Sequence, residues 1–498
     1  MKIYKEFIQT KNETQIPVFQ SGRTMESRYN PQNEAQKLCD ATVSNAGFFL
    51  VTGIGSGIFL EMLSNKFKNA KIVALELYKE DIDFLRTQEK VRLLEKNENI
   101  VFCTLLELEQ TLVNHYIPAK YGDFQVIEQR AWINENKENL GELQSIIQKT
   151  LGIISADYSV QAHFGKIWNH NILNNARLSQ FSKSAKNFCI SKNDLEKTAV
   201  IVAAGPSLDK TLCLLKKPGD FFVIATDTAN SVLEKSGIFA DLVISIDGQA
   251  VSYNHFIKPL KANTTAKNFA FDFCANHSAA NKTAQFSSPI FFCSGHPLSS
   301  LINQRNNQNF PFVFSGSGTV TISAIDFAVQ AGFSKIKILG ADFSYKNGKP
   351  YAKGTYLDSL YNIEANRLKT SETLFSKLMF RTPLIKMQEN SYTTQILEAY
   401  KTSLEKYLIG KKISFVKKDD FYELEIKSKS NNQNFCKKEI SANFFASFMS
   451  DFSKENPKDV EFPLLPFIAW LRKNQNHKND SYEDLLKLAF NNIVSYNE

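Results

Sequence analysis

Two tyrosines six residues apart, Tyr345 and Tyr351, flank the pair Asn347–Gly348 in the stretch GADFSYKNGKPYAKG. A phenol has an ordinary pKa of about 10, so both side chains are donors at neutral pH and can meet a charged group without a metal. The Asn-Gly pair predicts a tight reversal that turns the two rings toward each other. Just before them, KIKIL reads as a buried strand ending at Gly340. Loops at the carboxyl ends of such strands are where open α/β sheets bind ligands.

Two further stretches could hold an anion. In IVAAGPSLD a strand ends at Ala204, Gly205 permits a tight turn, Pro206 suits the first helical position and Ser207 sets a hydroxyl beside free backbone N–H groups. FSGSGTVTISAIDFAVQAG repeats the device, with Ser315, Gly316, Ser317, Gly318 and Thr319 before a helix carrying Ile322, Ile325 and Val329. Two helix N-termini from one sheet could face one cleft. Asp227, in IATDT, and Asp247, in ISIDGQ, stand at strand ends where a carboxylate can hold ribose, base or a metal. A third turn, VTGIGSG, sets Gly53, Gly55 and Gly57 between strand and helix, with Glu76 ending the next strand. That pattern serves nucleotide or S-adenosylmethionine sites, and equally the tight packing of a helix on its strand. Asp81 and Asp83 have the spacing of a metal pair, but their amphipathic helix predicts exposed charge. His163 and His170 flank Trp168 in an aromatic helix that predicts core packing. No Ser-His-Asp arrangement and no H-E-x-x-H occurs, and no metal ligands are assigned.

The elements that must position these residues follow from periodicity. Residues 30–127 alternate as capped helix, strand GFFLVTG, glycine turn, helix, strand KIVALEL and helix, which is half of a doubly wound sheet. Residues 135–187 have helical periodicity. A second alternation runs from TAVIVAAGPSLD through DFFVIATDT, ADLVISIDG, NFAFDF, SPIFFCSG and FPFVFSGSG to KIKILGADF, six or seven short strands suited to a parallel sheet. After Leu357 the pattern turns helical, with one more strand-like stretch, KKISFVKK, behind a helix capped near Thr393 or Thr394. The expected organisation is an N-terminal Rossmann-like domain (1–135), a helical connector (136–187), a central doubly wound α/β domain (188–425) and a helical C-terminal region (426–498).

Composition narrows the partners. The 498 residues carry 59 Lys+Arg against 51 Asp+Glu, a formal +8, but the charges interleave without a basic stripe, which does not favour nucleic acid. Seven cysteines, at 39, 103, 189, 213, 274, 293 and 436, form no C-x-x-C, and neither a disulfide frame nor a zinc site is expected. With no apolar signal core at the start and no unbroken apolar run, a cytoplasmic protein without a membrane span is expected.

In order, NPQNEA, AAGPSLD, ADLVISIDGQ, GSGTVTISAIDFAVQAGF and ILGADFSYKNGKPYAKG resemble the motility accessory factor (Maf) family of flagellin glycosyltransferases, over roughly residues 30–410. The central part also resembles bacterial CMP-sialic-acid sialyltransferases of GT-A type, with their G-P-S-L nucleotide loop and paired tyrosines. The resemblance implies an inverting transfer of a CMP-activated nonulosonic acid, of pseudaminic or legionaminic type, to Ser or Thr of flagellin, as needed for flagellar assembly and motility. Ser207, Ser317 and Thr319 would then line the donor pocket, with Gly205, Pro206, Asp227 and Gly318, and Tyr345 and Tyr351 would meet the leaving phosphate. Two positions depart from the sialyltransferases: FVFSGSG lacks their arginine, and Asn390 stands near the place of their general-base histidine, leaving Asp247 and Asp342 as candidate bases. The partners implied are flagellin and the CMP-sugar, with no other cofactor. The central fold is also similar to 6-hydroxymethylpterin diphosphokinase, which would require ATP, with Asp227 and Asp247 holding Mg²⁺. A non-catalytic flagellin-binding factor is the remaining alternative.

Overall fold

The computed structural model describes residues 2–42, 46–181, 190–216, 219–256, 268–307, 309–316, 318–388, 390–427, 443–477 and 480–497. It divides into two compact units, one of residues 1–165 with 465–489, the other of residues 166–464 with 490–498.

In the first unit an antiparallel hairpin, β1 (Tyr4–Gln9) and β2 (Gln15–Phe19), precedes a parallel sheet. The sheet strands are β3 (Phe48–Thr52), β4 (Lys71–Glu76), β5 (Ile100–Thr104) and β6 (Phe124–Glu128), in the order β5-β4-β3-β6. Every residue of β3 and β4 is buried, which is why FFLVT and IVAL lack the alternation of a half-exposed strand. This is the expected Rossmann-like half sheet, with the glycine turn after β3 beside the point where strand order reverses.

The second unit holds β7 (Thr198–Val202), β8 (Phe221–Thr226), β9 (Leu242–Ser245), β10 (Phe269–Asp272), β11 (Ile290–Phe292) and β12 (Lys335–Leu339). A small sheet follows, of β13 (Tyr345–Lys346), β14 (Ile385–Gln388) and β15 (Ser391–Thr393), and then a hairpin of β16 (Ser414–Lys417) and β17 (Phe421–Glu425). The main sheet runs β11-β10-β9-β8-β7-β12-β17-β16, parallel from β11 to β12 and antiparallel thereafter. From β7 the chain winds outward through β8 to β11, then returns to the other side of β7 as β12. The switch point therefore lies between the carboxyl ends of β7 and β12. FPFVFSGSG, expected as a strand, makes only one parallel bridge, Cys293 to Phe312. Behind the sheet, helix Val320–Ala331 is buried along most of its length and stops at Gly332, φ 102°.

One helix, Leu140–Phe181, fills most of the expected connector. In its second-unit part, Asn171 donates to the carbonyls of Gly248 and Cys274, and Asn175 to those of Phe273 and Ala275. These side chains satisfy carbonyls just beyond β9 and β10. His163 and His170 are exposed, contrary to the expected core packing, and His170 Nδ1 pairs with Tyr496 Oη at 2.8 Å. The C-terminal region is helical, with Phe444–Phe452, Glu461–Lys473 and Tyr482–Val494. No helix among the described residues is long and apolar enough to cross a membrane.

Candidate active site

At the switch point of the main sheet lies a cavity of about 290 Å³. The loop after β7 supplies Ala203, Ala204 and Gly205, the first turn of helix Asp227–Lys235, which begins directly after β8, supplies Asp227 and Thr228, and the loop after β12 supplies Asp342 to Tyr345, with Tyr351 beyond. Gly318, Thr319, Val320 and Thr321 bring the start of helix Val320–Ala331 to the wall. The first-turn N–H groups of that helix cannot be satisfied within it, and its dipole favours an anion. The structure thus gathers Gly205, Asp227, Gly318, Thr319, Asp342, Tyr345 and Tyr351, all singled out in the sequence. Pro206, Ser207 and Asp247 do not line the cavity, and Ser317 lies outside the described residues.

The tyrosines are held by a two-residue reversal. Asn347 and Gly348 have φ of 52° and 70°, and Lys346 and Lys349 exchange both backbone bonds, at 3.2 and 3.0 Å. Pairing of Tyr345 with Tyr392 on β15 fixes one side, and Ala352 N donates to Ala204 O at 2.8 Å to tie the other to the β7 loop. Phe343, also on the wall, has φ 51°, a strained value for a bulky residue. Thr393 Oγ1 donates to its carbonyl at 3.0 Å. Burial pushes both phenols above their ordinary range, Tyr345 adds to the effect on Tyr351, and Arg381 opposes it at both. Both rings are therefore protonated donors at neutral pH.

Ser207 faces inward from the cavity. It is 3% exposed, and Asp342 Oδ2 accepts from both its N–H, at 2.9 Å, and its hydroxyl, at 2.8 Å. The other oxygen, Oδ1, meets Lys346 Nζ at 2.6 Å. A Cβ at Gly205 would overlap Asp342 Oδ2 and Gly340 O, so only glycine lets the β7 and β12 loops approach this closely. The expected cradle at Ser207 leads into a helix of only four residues, Leu208–Thr211. Its main observed work is to lock the β12 loop.

Asp227 is 3% exposed and accepts on both oxygens: Oδ1 from Thr228 N–H (2.7 Å) and hydroxyl (3.2 Å), and Oδ2 from Ser245 Oγ (2.6 Å). A divalent ion shared with Asp247 would compete with these donors for Asp227. Burial raises the Asp247 carboxyl above its usual range, against a bond from Gln249 N–H and aided by the charge of Asp227.

The glycine turn of the first unit is filled by its own chain. Gly53, Gly55 and Gly57 have φ of 89°, 58° and 82°. Glu26 Oε1 accepts from Ser56 N at 2.6 Å, where an anionic ligand would sit, and Met25 and Trp132 crowd Gly53. Glu76 is fully buried and accepts from Ile54 N (2.7 Å), Tyr4 Oη (3.0 Å) and Trp132 Nε1 (2.8 Å). Asp81, expected as exposed charge, is likewise buried, accepting from Ile3 N at 2.7 Å, while Asp83 pairs with Arg86 at 2.8 Å.

Residues 168–348 match the 6-hydroxymethylpterin diphosphokinase MptE-like family. An uncharacterized protein of Treponema pallidum (strain Nichols) is 33% identical over 183 residues, which cover 36% of this chain and 80% of that protein. The chain belongs to the MptE-like family. Another uncharacterized protein of the same organism is 29% identical over 234 residues, 45% of this chain and 75% of that protein. The solved structure of MAf glycosyltransferase from Magnetospirillum magneticum AMB-1 aligns over 99% of this chain and 91% of that chain, at 11% identity and a TM-score of 0.45. The MptE-like segment takes in β7 to β13, while Tyr351, Leu397 and Tyr400 complete the cavity from beyond it.

Two groups near the cavity carry no motif. Arg381 acts electrostatically on both phenols from the turn before β14, in a chain whose FVFSGSG lacks a cation. His255 follows β9 and reaches Thr228. Neither sits in a periodic or glycine-marked stretch, so only folding reveals them.

Proposed function

We propose that this MptE-like chain is a cytoplasmic glycosyltransferase that moves a CMP-activated nonulosonic acid, of pseudaminic or legionaminic type, onto Ser or Thr of flagellin with inversion. The observation that carries this reading is the convergence of two protonated phenols and a helix N-terminus on one cavity at a sheet switch point. In such a transfer, charge develops on the departing phosphate while the anomeric carbon gains oxocarbenium character. Tyr345, Tyr351 and the first-turn amides of Val320–Ala331 would donate to the phosphate oxygens, and fixed donors of this kind stabilise the transition state without reorganising. Arg381 would add the positive charge. The Ser207–Asp342–Lys346 cluster holds the tyrosine loop in register with the β7 loop. The motif order, from AAGPSLD to the paired tyrosines, supports the CMP-sugar and the flagellin acceptor.

Intact-mass measurement of flagellin from cells with and without this protein tests the reading. A sugar-sized mass increment that disappears with the gene is expected, and identical masses would overturn the proposal.

The family match favours a second reading, pyrophosphoryl transfer from ATP to a hydroxymethylpterin. Formation of AMP from ATP, Mg²⁺ and 6-hydroxymethyl-dihydropterin would support it.

A further inference from the structure

The glycosyl transfer proposed above needs a group to take the proton of the attacking hydroxyl. Asp342 is poorly suited, since one oxygen holds Ser207 and the other is ion-paired to Lys346. Asp227 has donors on both oxygens. An imidazole standing just behind the wall is better placed. His255 lies in the 3-10 segment Ala250–Phe256, and its Nε2 is 3.4 Å from the hydroxyl of Thr228, which lines the cavity.

The surroundings of His255 fix its orientation. Tyr356, at the start of the helix after the tyrosine loop, packs edge-on against the ring, with centroids 4.6 Å apart at 82°. Nδ1 is buried and has no hydrogen-bond partner among the described residues. Among the described residues, the charged or titratable groups at this corner are Asp227 after β8, Asp247 after β9 and Tyr356, with Tyr351 and Tyr361 beside Tyr356. The long Nε2 to Thr228 contact is one that a substrate hydroxyl bound against Thr228 could replace, as catalytic contacts commonly shorten when substrate binds.

We propose that His255 is the general base of this transfer, a role that rests on the glycosyltransferase reading. The acceptor oxygen forms a bond to the anomeric carbon. The bond from that carbon to the phosphate oxygen breaks, and its electron pair leaves with CMP. The hydroxyl proton passes to His255 Nε2, and the imidazolium, stabilised by Asp227 and Asp247, later gives it to solvent. Thr228 is a positioning residue: its hydroxyl donates to Asp227 Oδ1 at 3.2 Å and accepts from Nε2–H of the resting ring, and the acceptor hydroxyl takes its place at Nε2 once the ring proton stands on Nδ1.

The test uses the purified full chain with CMP-N-acetylneuraminic acid as probe, water or flagellin as acceptor, and CMP release above the buffer blank as readout. For His255→Gln, release is expected to fall by about 100-fold or more, the usual contribution of general-base catalysis. The acid limb of the parent's pH–rate profile should vanish with it. CMP affinity by calorimetry and the thermal midpoint should stay at parental values, which excludes misfolding. Thr228→Val should lower the rate less and keep the limb. Parental release in His255→Gln, or an unchanged pH profile, overturns the role of His255 alone. A parent chain that neither binds CMP nor releases it from the probe overturns the glycosyltransferase reading and the base together.

Discussion

Tyr345 and Tyr351 are hydrogen-bond donors whose removal should cost rate and not fold. Replacing either by Phe keeps the ring packing and deletes one donor to the phosphate, a loss of about 100- to 1,000-fold in CMP release where such donors have been removed elsewhere. If both single variants and the double variant stay within about threefold of the parent, well short of that loss, the phenols only pack the loop. Ser207 behaves differently, because its hydroxyl is buried on Asp342. Ser207→Ala should cost about 1–3 kcal/mol of stability by leaving a buried carboxylate oxygen short of a donor, measured by urea unfolding. A loss of nucleotide affinity with no change in stability would instead mean that the hydroxyl turns outward to the ligand. The residues that mark strand ends were legible in the sequence because glycine, serine and aspartate beside an apolar run announce a loop at a sheet's edge. Their partners were not: Asp342 meets Ser207 across 135 residues, and His255 meets Thr228 across 27. Pairings of that kind are set by strand order, which local patterning does not encode.

At the scale of elements, the β1–β2 hairpin and the segment after it are held to the first-unit sheet by three carboxylates, Asp81, Glu76 and Glu26. Burial raises Glu76 to about 8, Glu26 to about 7 and Asp81 to about 6. Unfolded, these groups titrate at about 4.3 for Glu and 3.9 for Asp, so between the two sets of values the folded chain holds more protons. Their contribution to stability is complete below about pH 4 and is lost as the pH rises through about 6, 7 and 8. The thermal midpoint should therefore fall across that range, and Glu26→Gln should flatten the slope; an equal slope in the variant would contradict this. The long helix offers a paired test. A Cβ at Gly165 would overlap the Pro466 backbone, whereas at Gly152 it would meet nothing within 4 Å. Gly152→Ala should stabilise by about 0.5–1 kcal/mol, and Gly165→Ala should destabilise by about 1–3 kcal/mol, both read from denaturant midpoints. The sequence announced the helix by its period but gave no sign of which glycine touches another backbone. The N-terminal hairpin and β17 also escaped notice, since β1 lacks a regular alternation and β17 alternates over only five residues.

At the scale of the whole molecule, the first unit is assembled from the two ends of the chain. Residues 465–489 return to it, and Arg472 donates to the carbonyls of Ala119 and Lys120 at 2.6 and 3.1 Å. Arg472→Ala removes two charge-assisted bonds, each worth about 1.5–3 kcal/mol at most. The unfolding free energy of the first unit should fall by about 2 kcal/mol, allowing for water to replace part of what is lost. Hydrogen exchange at the first-unit amides would report the change, and unaltered protection would show that the returning segment is dispensable. The α/β class and the parallel sheets were readable from alternating strands and helices. The return was not, because a helix in the last 40 residues carries no mark of the strands it will cover.

That return also sets an order in time. A ribosome must add residues 166 to 489 after the first unit's N-terminal portion is complete before its last segment exists. At about 5–20 residues per second this takes roughly 16–65 s. Throughout that interval the emerging domain lacks part of its covering, and the second unit, made during it, lacks only residues 490–498 once residue 464 has been added. A nascent chain of this design is exposed at its beginning for the whole of that interval, so helpers that shield unfinished protein would engage it first at its N-terminal end.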